Sequence, residues 1–129
     1  MNRHFFEEDE DEEECVEVEL IRKYMKDNLR DNLRMFLDIH AHSVKKSIFL
    51  YAPKTPNNVA FPENEKFAKL LCEMSPVFSL ENCRFNHDPA KKNCARLGMF
   101  REHKLIDSYT IEASCWGFEV GNQVVQFTV

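Results

Sequence analysis

Glycine is scarce in this chain, with three residues in 129. A phosphate-cradling loop needs several glycines close together, so nucleotide binding of that kind is excluded. Long apolar runs are missing too. Nothing approaches the roughly 20 apolar residues that span a bilayer, and the N-terminus is acidic where a secretory leader is basic and then apolar. Neither a membrane span nor a secretory leader is expected. Paired cysteines are also absent. Cys15, Cys72, Cys83, Cys94 and Cys115 are odd in number and form no Cys-x-x-Cys. That argues against a disulfide framework and a cysteine zinc knuckle, and for reduced thiols in the cytoplasm. What the chain does have is apolar substance: 43% hydrophobic and 12% aromatic residues can fill one domain core.

The formal net charge of −5 hides an asymmetry. Residues 1–20 carry ten acids against Arg3 alone, and the rest of the chain carries 16 bases and 12 acids, a balance of +4. The body is therefore mildly basic, which suits an acidic peptide partner. Its bases are scattered, and no basic stripe is interleaved with aromatics, so nucleic acid is not an expected partner. Glu7 to Glu14 are eight consecutive carboxylates and read as a solvated acidic loop.

Beyond that run the pattern alternates. Val18, Ile21, Met25, Leu29 and Leu33 fall at helical spacing over about 16–32. Strands are expected at 35–39 and 47–51, and a break at Pro53–Pro56 separates them from a helix opened by Pro62. That helix carries Phe67, Leu70 and Leu71 and stops near Ser75-Pro76. A loop over 82–89, a short helix over 91–101 and a strand through Tyr109–Ala113 follow, with a helix or last strand over 124–129. Strands alternating with helices imply an α/β layer structure in one domain or a piece of one.

The stretch Asp38 to Tyr51, DIHAHSVKKSIFLY, concentrates the chemistry. An apolar run delivers His40, and His42 lies two residues on, on the same face of an extended segment. Read by itself, His40 is either a metal ligand or a core or surface histidine. A second block, SYTIEAS at 108–114, sets Glu112 on the face opposite Ile111, where it is either a proton-transfer group or a solvated strand glutamate. Together with Asn2-Arg3-His4-Phe5, these blocks strongly resemble the cytosolic carboxypeptidases, a branch of the zinc metallocarboxypeptidases. The match departs at Ala41, where Gly is usual, and at Val44, where Arg is usual.

The resemblance implies a good deal. Fold: part of a three-layer α/β zinc-carboxypeptidase domain with a mixed central sheet flanked by helices. Cofactor: zinc, with His40 as its last protein ligand. Glu112 would be the general base that takes a proton from the attacking water and returns it to the leaving amine. Arg3, with Asn2, would grip the terminal carboxylate of the peptide, a role suited to the planar, permanently charged guanidinium. In FSLENCRFNHDPAKKNCAR (78–96), Lys91 and Arg96 match bases that flank a Gly-Thr-rich turn, although Asn93 and Cys94 stand in place of that Gly and Thr. The substrates implied are acidic protein tails, notably glutamate chains on tubulin. His4-Phe5-Phe6-Glu7 spells the family's His-x-x-Glu ligand spacing, but His4 belongs to the later Asn-Arg element, so this is not the expected ligand pair. Residues 1–129 therefore read as a single partial peptidase domain, the later half of a catalytic domain, with an acidic loop at 7–14. The alternative is a non-catalytic relic or binding module that keeps the scaffold without the metal.

Overall fold

A computed structural model describes residues 15–29, 32–57, 59–85, 91–121 and 123–127; Asn2, Arg3, the His4–Glu7 motif and the acidic loop at 7–14 lie outside these residues. Helix α1 (Val16–Asn28) has Glu17 and Glu19 in its first turn and Lys26 in its last, each matching the helix dipole. Strand β1 (Phe36–His42) and strand β2 (Ile48–Ala52) follow. Helix α2 (Pro62–Met74) starts with Pro62, whose missing N–H has no partner to lose in a first turn, and adds Glu63 and Glu65 there. A two-residue strand β3 (Arg84–Phe85) precedes helix α3 (Ala95–His103) and strand β4 (Ser108–Ser114). A small hairpin, β5 (Phe118–Val120) and β6 (Gln123–Val125), comes last.

The main sheet has the order β1-β4-β2-β3. It is mixed: β4 runs parallel to β1 and antiparallel to β2, and β3 is parallel to β2. Strand alternation and these registers divide the side chains between two faces. One face carries Asp38, His40 and His42 from β1, Thr110 and Glu112 from β4, and Phe49 and Tyr51 from β2. The other carries Leu50, Tyr109 and Ile111, and α2 covers it, with the Phe67 ring 4.7 Å from that of Tyr109. On the first face α3 lies over β4, where the Ser108 hydroxyl donates to the Arg96 carbonyl at 2.9 Å. Val18 and Met25 of α1 pack there with Ala95 and Met99 of α3. The result is helix, sheet, helix in three layers around a mixed sheet.

Several element bounds differ from the sequence reading. Strand β1 runs on to His42, so both histidines stand in the strand itself, because β4 pairs with it in register as far as Ser114. Helix α3 starts at Ala95 rather than at 91, and β3 falls within the expected loop. Leu37 and Ile39 are 45% and 72% exposed. Strand β1 lies at the edge of the sheet, and α2 packs on β2 and β4 instead.

Candidate active site on the sheet

The parallel pairing of β1 with β4 sets His40 opposite Glu112, and the antiparallel pairing of β2 with β4 sets Phe49 on the other side of Glu112. Three side chains from three strands thus leave one face in a row. His40 and Glu112 are both half-buried. The His40 Nε2 lies 2.6 Å from Asp38 Oδ1, and Nε2–H donates to the carboxylate. Asp38 Oδ2 is buried with no hydrogen-bond partner among the described residues.

His42 does something different. Its Nδ1 accepts the backbone N–H groups of Val44 at 3.1 Å and Lys45 at 3.0 Å, and its ring meets Phe49 edge-on at 5.1 Å between centroids. It closes the turn after β1 and, through that turn, positions Lys45.

The bases lie beside this row. Arg96 is 2% exposed, in contrast to the solvated surface residue its sequence context allows. Its Nη1 donates to Thr110 Oγ1 at 3.2 Å, and its guanidinium carbon stands 5.4 Å from the Tyr51 ring centroid. Lys91 Nζ is 5.2 Å from the same centroid. Tyr51, Lys45 and Arg84 share this neighbourhood without a role assigned from the motifs, although Lys45 and Tyr51 lie within the 38–51 block; alternation carries Tyr51 onto the face of Phe49. Burial pushes the Tyr51 hydroxyl pKa up, and Glu112 adds to the rise while Arg84 and Arg96 oppose it. Desolvation lowers the Lys45 pKa, and the Arg84 and Lys91 charges lower it further against Glu112. These groups therefore share one electrostatic neighbourhood. Asn2 and Arg3 lie outside the described residues.

A catalytic zinc takes three protein ligands. Among the described residues no group of three His, Cys, Asp or Glu side chains is gathered to hold a metal. His40 offers one imidazole, oriented by Asp38 as metal-ligating histidines commonly are. The described residues thus do not compose a zinc site by themselves.

No protein-family model matches the chain. Human cytosolic carboxypeptidase 2 is 32% identical over 90 residues, which cover 69% of this chain and 10% of the human protein. Cytosolic carboxypeptidase 1 of Danio rerio is 33% identical over 100 residues, 67% of this chain and 9% of that protein. Mouse cytosolic carboxypeptidase 6 is 32% identical over 94 residues, covering 71% and 17%. A crystal structure of a metallo-carboxypeptidase from Burkholderia cenocepacia superposes on 88% of this chain with a TM-score of 0.64 and 20% identity, over 28% of its own length. That likeness shows the fold, and it places the chain among proteins of metallocarboxypeptidase architecture. Within that class the chain belongs to the cytosolic carboxypeptidases. It spans between 9% and 17% of the length of these three relatives. Among the described residues no helix is long and apolar enough to cross a membrane.

Proposed function

We propose that this chain supplies part of the catalytic face of a zinc carboxypeptidase that removes C-terminal residues, glutamates in particular, from acidic protein tails such as those of tubulin. The in-register pair of His40 and Glu112 carries the reading. Glu112 is the general base: it takes a proton from the water that attacks the scissile carbonyl and delivers it to the leaving amine. His40, held through Nε2 by Asp38, would be one ligand of the metal on this reading. Lys91 and Arg96 bind the acidic substrate, and Arg3 with Asn2 binds the terminal carboxylate. A site in the cytoplasm agrees with the relatives' names and with five unpaired thiols.

The absence of a three-donor cluster among the described residues favours one other reading, a scaffold that binds acidic tails without cutting them. One substitution separates the two. In the full-length protein that carries this segment, Glu112→Gln is expected to lower kcat on peptides with C-terminal glutamate by roughly 10²–10⁴-fold while peptide binding persists. Mass spectrometry of the shortened peptide is the readout. A wild-type protein that binds such peptides and never shortens them leaves the scaffold reading standing.

A further inference from the structure

Trp116 is the single tryptophan of the chain, and it is 60% exposed. It is nonetheless held in place. Its indole N–H donates to the Ser43 carbonyl at 2.6 Å, and its backbone N–H donates to Ser114 Oγ at 3.0 Å. The preceding Cys115 N–H donates to the His42 carbonyl at 2.9 Å. The indole thus reaches from the end of β4 to the turn after β1, across the same two strands that set His40 opposite Glu112. Val44, next along that turn, is 81% exposed. A large exposed side chain already fixed by a hydrogen bond is a ready contact surface, because little rotamer freedom is left to lose when a partner covers it.

The register places this surface relative to the candidate site. Tyr51, beside which Lys91 and Arg96 stand, pairs with Thr110, two residues before Glu112, whereas Trp116 comes four residues after it. The bases and the indole therefore flank Glu112 from opposite directions along β4. A peptide whose acidic end is held on the Thr110 side has its preceding residues to place on the other. Four strand residues span about 13 Å, so the indole lies within the reach of about four extended peptide residues. Charge supports the same division. Residues 41–44 and 113–118 contain no Asp, Glu, Lys or Arg. Val44 stands where Arg is usual in the family, so this uncharged rim is a feature of the present chain.

We infer that Trp116, with Val44 beside it, is a specificity-determining residue that takes an apolar side chain of the peptide within about four residues before the scissile bond. The apolar side chain packs on the exposed indole, while the indole N–H stays with Ser43. An uncharged rim of this kind selects by burial of apolar surface, which the basic side chains near Tyr51 do not sense. The inference rests on the peptidase reading of this face, and it adds a preference for what precedes the acidic end.

The test uses the full-length protein and two hexapeptides with the same two acidic residues at the end, preceded either by four glycines or by Gly-Leu-Leu-Gly. Wild-type protein is expected to favour the leucine peptide in kcat/KM by roughly five- to tenfold. Trp116→Ala should bring that ratio close to one, and Val44→Ser should lower it by about twofold. Trp116→Phe, which keeps an aromatic face and gives up the bond to Ser43, should retain most of the preference. No leucine preference in wild type, or an unchanged ratio in Trp116→Ala and Val44→Ser, overturns the assignment. Equal losses on both peptides in Trp116→Ala and Trp116→Phe overturn it too, since the indole would then only clasp the two strand ends. If neither peptide is hydrolysed, binding is read from the difference in fluorescence between wild type and Trp116→Phe, which isolates this indole. A blue shift with the leucine peptide and none with the glycine peptide upholds the contact although the peptidase reading fails; no shift with either overturns the contact as well.

Discussion

Tyr109 and His42 each place a polar group where the fold needs one, and each gives a measurable effect. The Tyr109 side chain is fully buried, and its hydroxyl is shared between Asp107 Oδ1 at 2.8 Å and Asn64 Oδ1 at 2.9 Å. Desolvation, reinforced by Asp107, drives its pKa far above the ordinary value of 10.0. The folded state therefore keeps a proton that the unfolded chain releases near pH 10, so the stabilisation is complete below that pH and is lost as pH rises beyond it. Denaturant melts of wild type should show stability falling above about pH 10, and Tyr109→Phe should flatten that fall while costing about 1–3 kcal/mol at neutral pH. His42 accepts two backbone N–H groups on Nδ1. His42→Ala should destabilise the turn by about 1–2 kcal/mol, and His42→Asn, whose side-chain oxygen is also an acceptor, should recover part of it. Without the family resemblance, which singles out His40 as the ligand position, nothing in the local sequence separates His42 from His40. Both are histidines on the same face of one strand, and only the hydrogen bonds assign one to the turn and the other to Asp38.

At the scale of elements, what the chain displays is periodicity, and periodicity locates the longer segments to within a few residues. The expected strand at 47–51 corresponds to Ile48–Ala52, and the helix opened by Pro62 ends at Met74. Two-residue β3 leaves no periodic signal, since it exists only through its pairing with Tyr51 and Ala52. The β5–β6 hairpin hides for a related reason: its strands are three residues each, and β6 is exposed throughout. Gly117 is what admits it. This residue has φ +133°, and a Cβ there would run into the carbonyl oxygen of Val125 on β6. Gly117→Ala should therefore lower stability by roughly 1–3 kcal/mol, read as a lower melting temperature. Gly121→Ala is the matched control. It also has positive φ, +58°, but a Cβ there meets nothing within 4 Å among the described residues, so its cost should be smaller, about 1 kcal/mol. The exposed Leu37 and Ile39 show the converse limit of periodicity. An apolar pattern marks β1 as a strand, but which of its faces is covered depends on where α2 and α3 settle.

For the whole molecule, the decisive event is long-range pairing. His40 and Glu112 become neighbours because β4 inserts between β1 and β2, an arrangement that no local pattern contains. The two blocks are readable as motifs, but their shared face follows from the register. Arg96 and Tyr51 come together in the same way, since α3 packs over β4 while β2 pairs with its far edge. Metal binding is the property that such assembly controls most sharply. Zinc affinity grows with the number of donors fixed at once, and a catalytic centre needs three protein ligands. Among the described residues the His40–Asp38 pair stands on the sheet, and no group of three His, Cys, Asp or Glu side chains is gathered to hold a metal. Isothermal titration of the 129-residue chain with zinc should therefore show weak binding, with His40→Ala changing it little. Tight one-to-one binding abolished by His40→Ala together with His4→Ala would place a ligand in the N-terminal His4–Glu7 segment. The His-x-x-Glu spacing there would then be part of the metal site, and the reading of His4 as a piece of the carboxylate-gripping element would have to be given up.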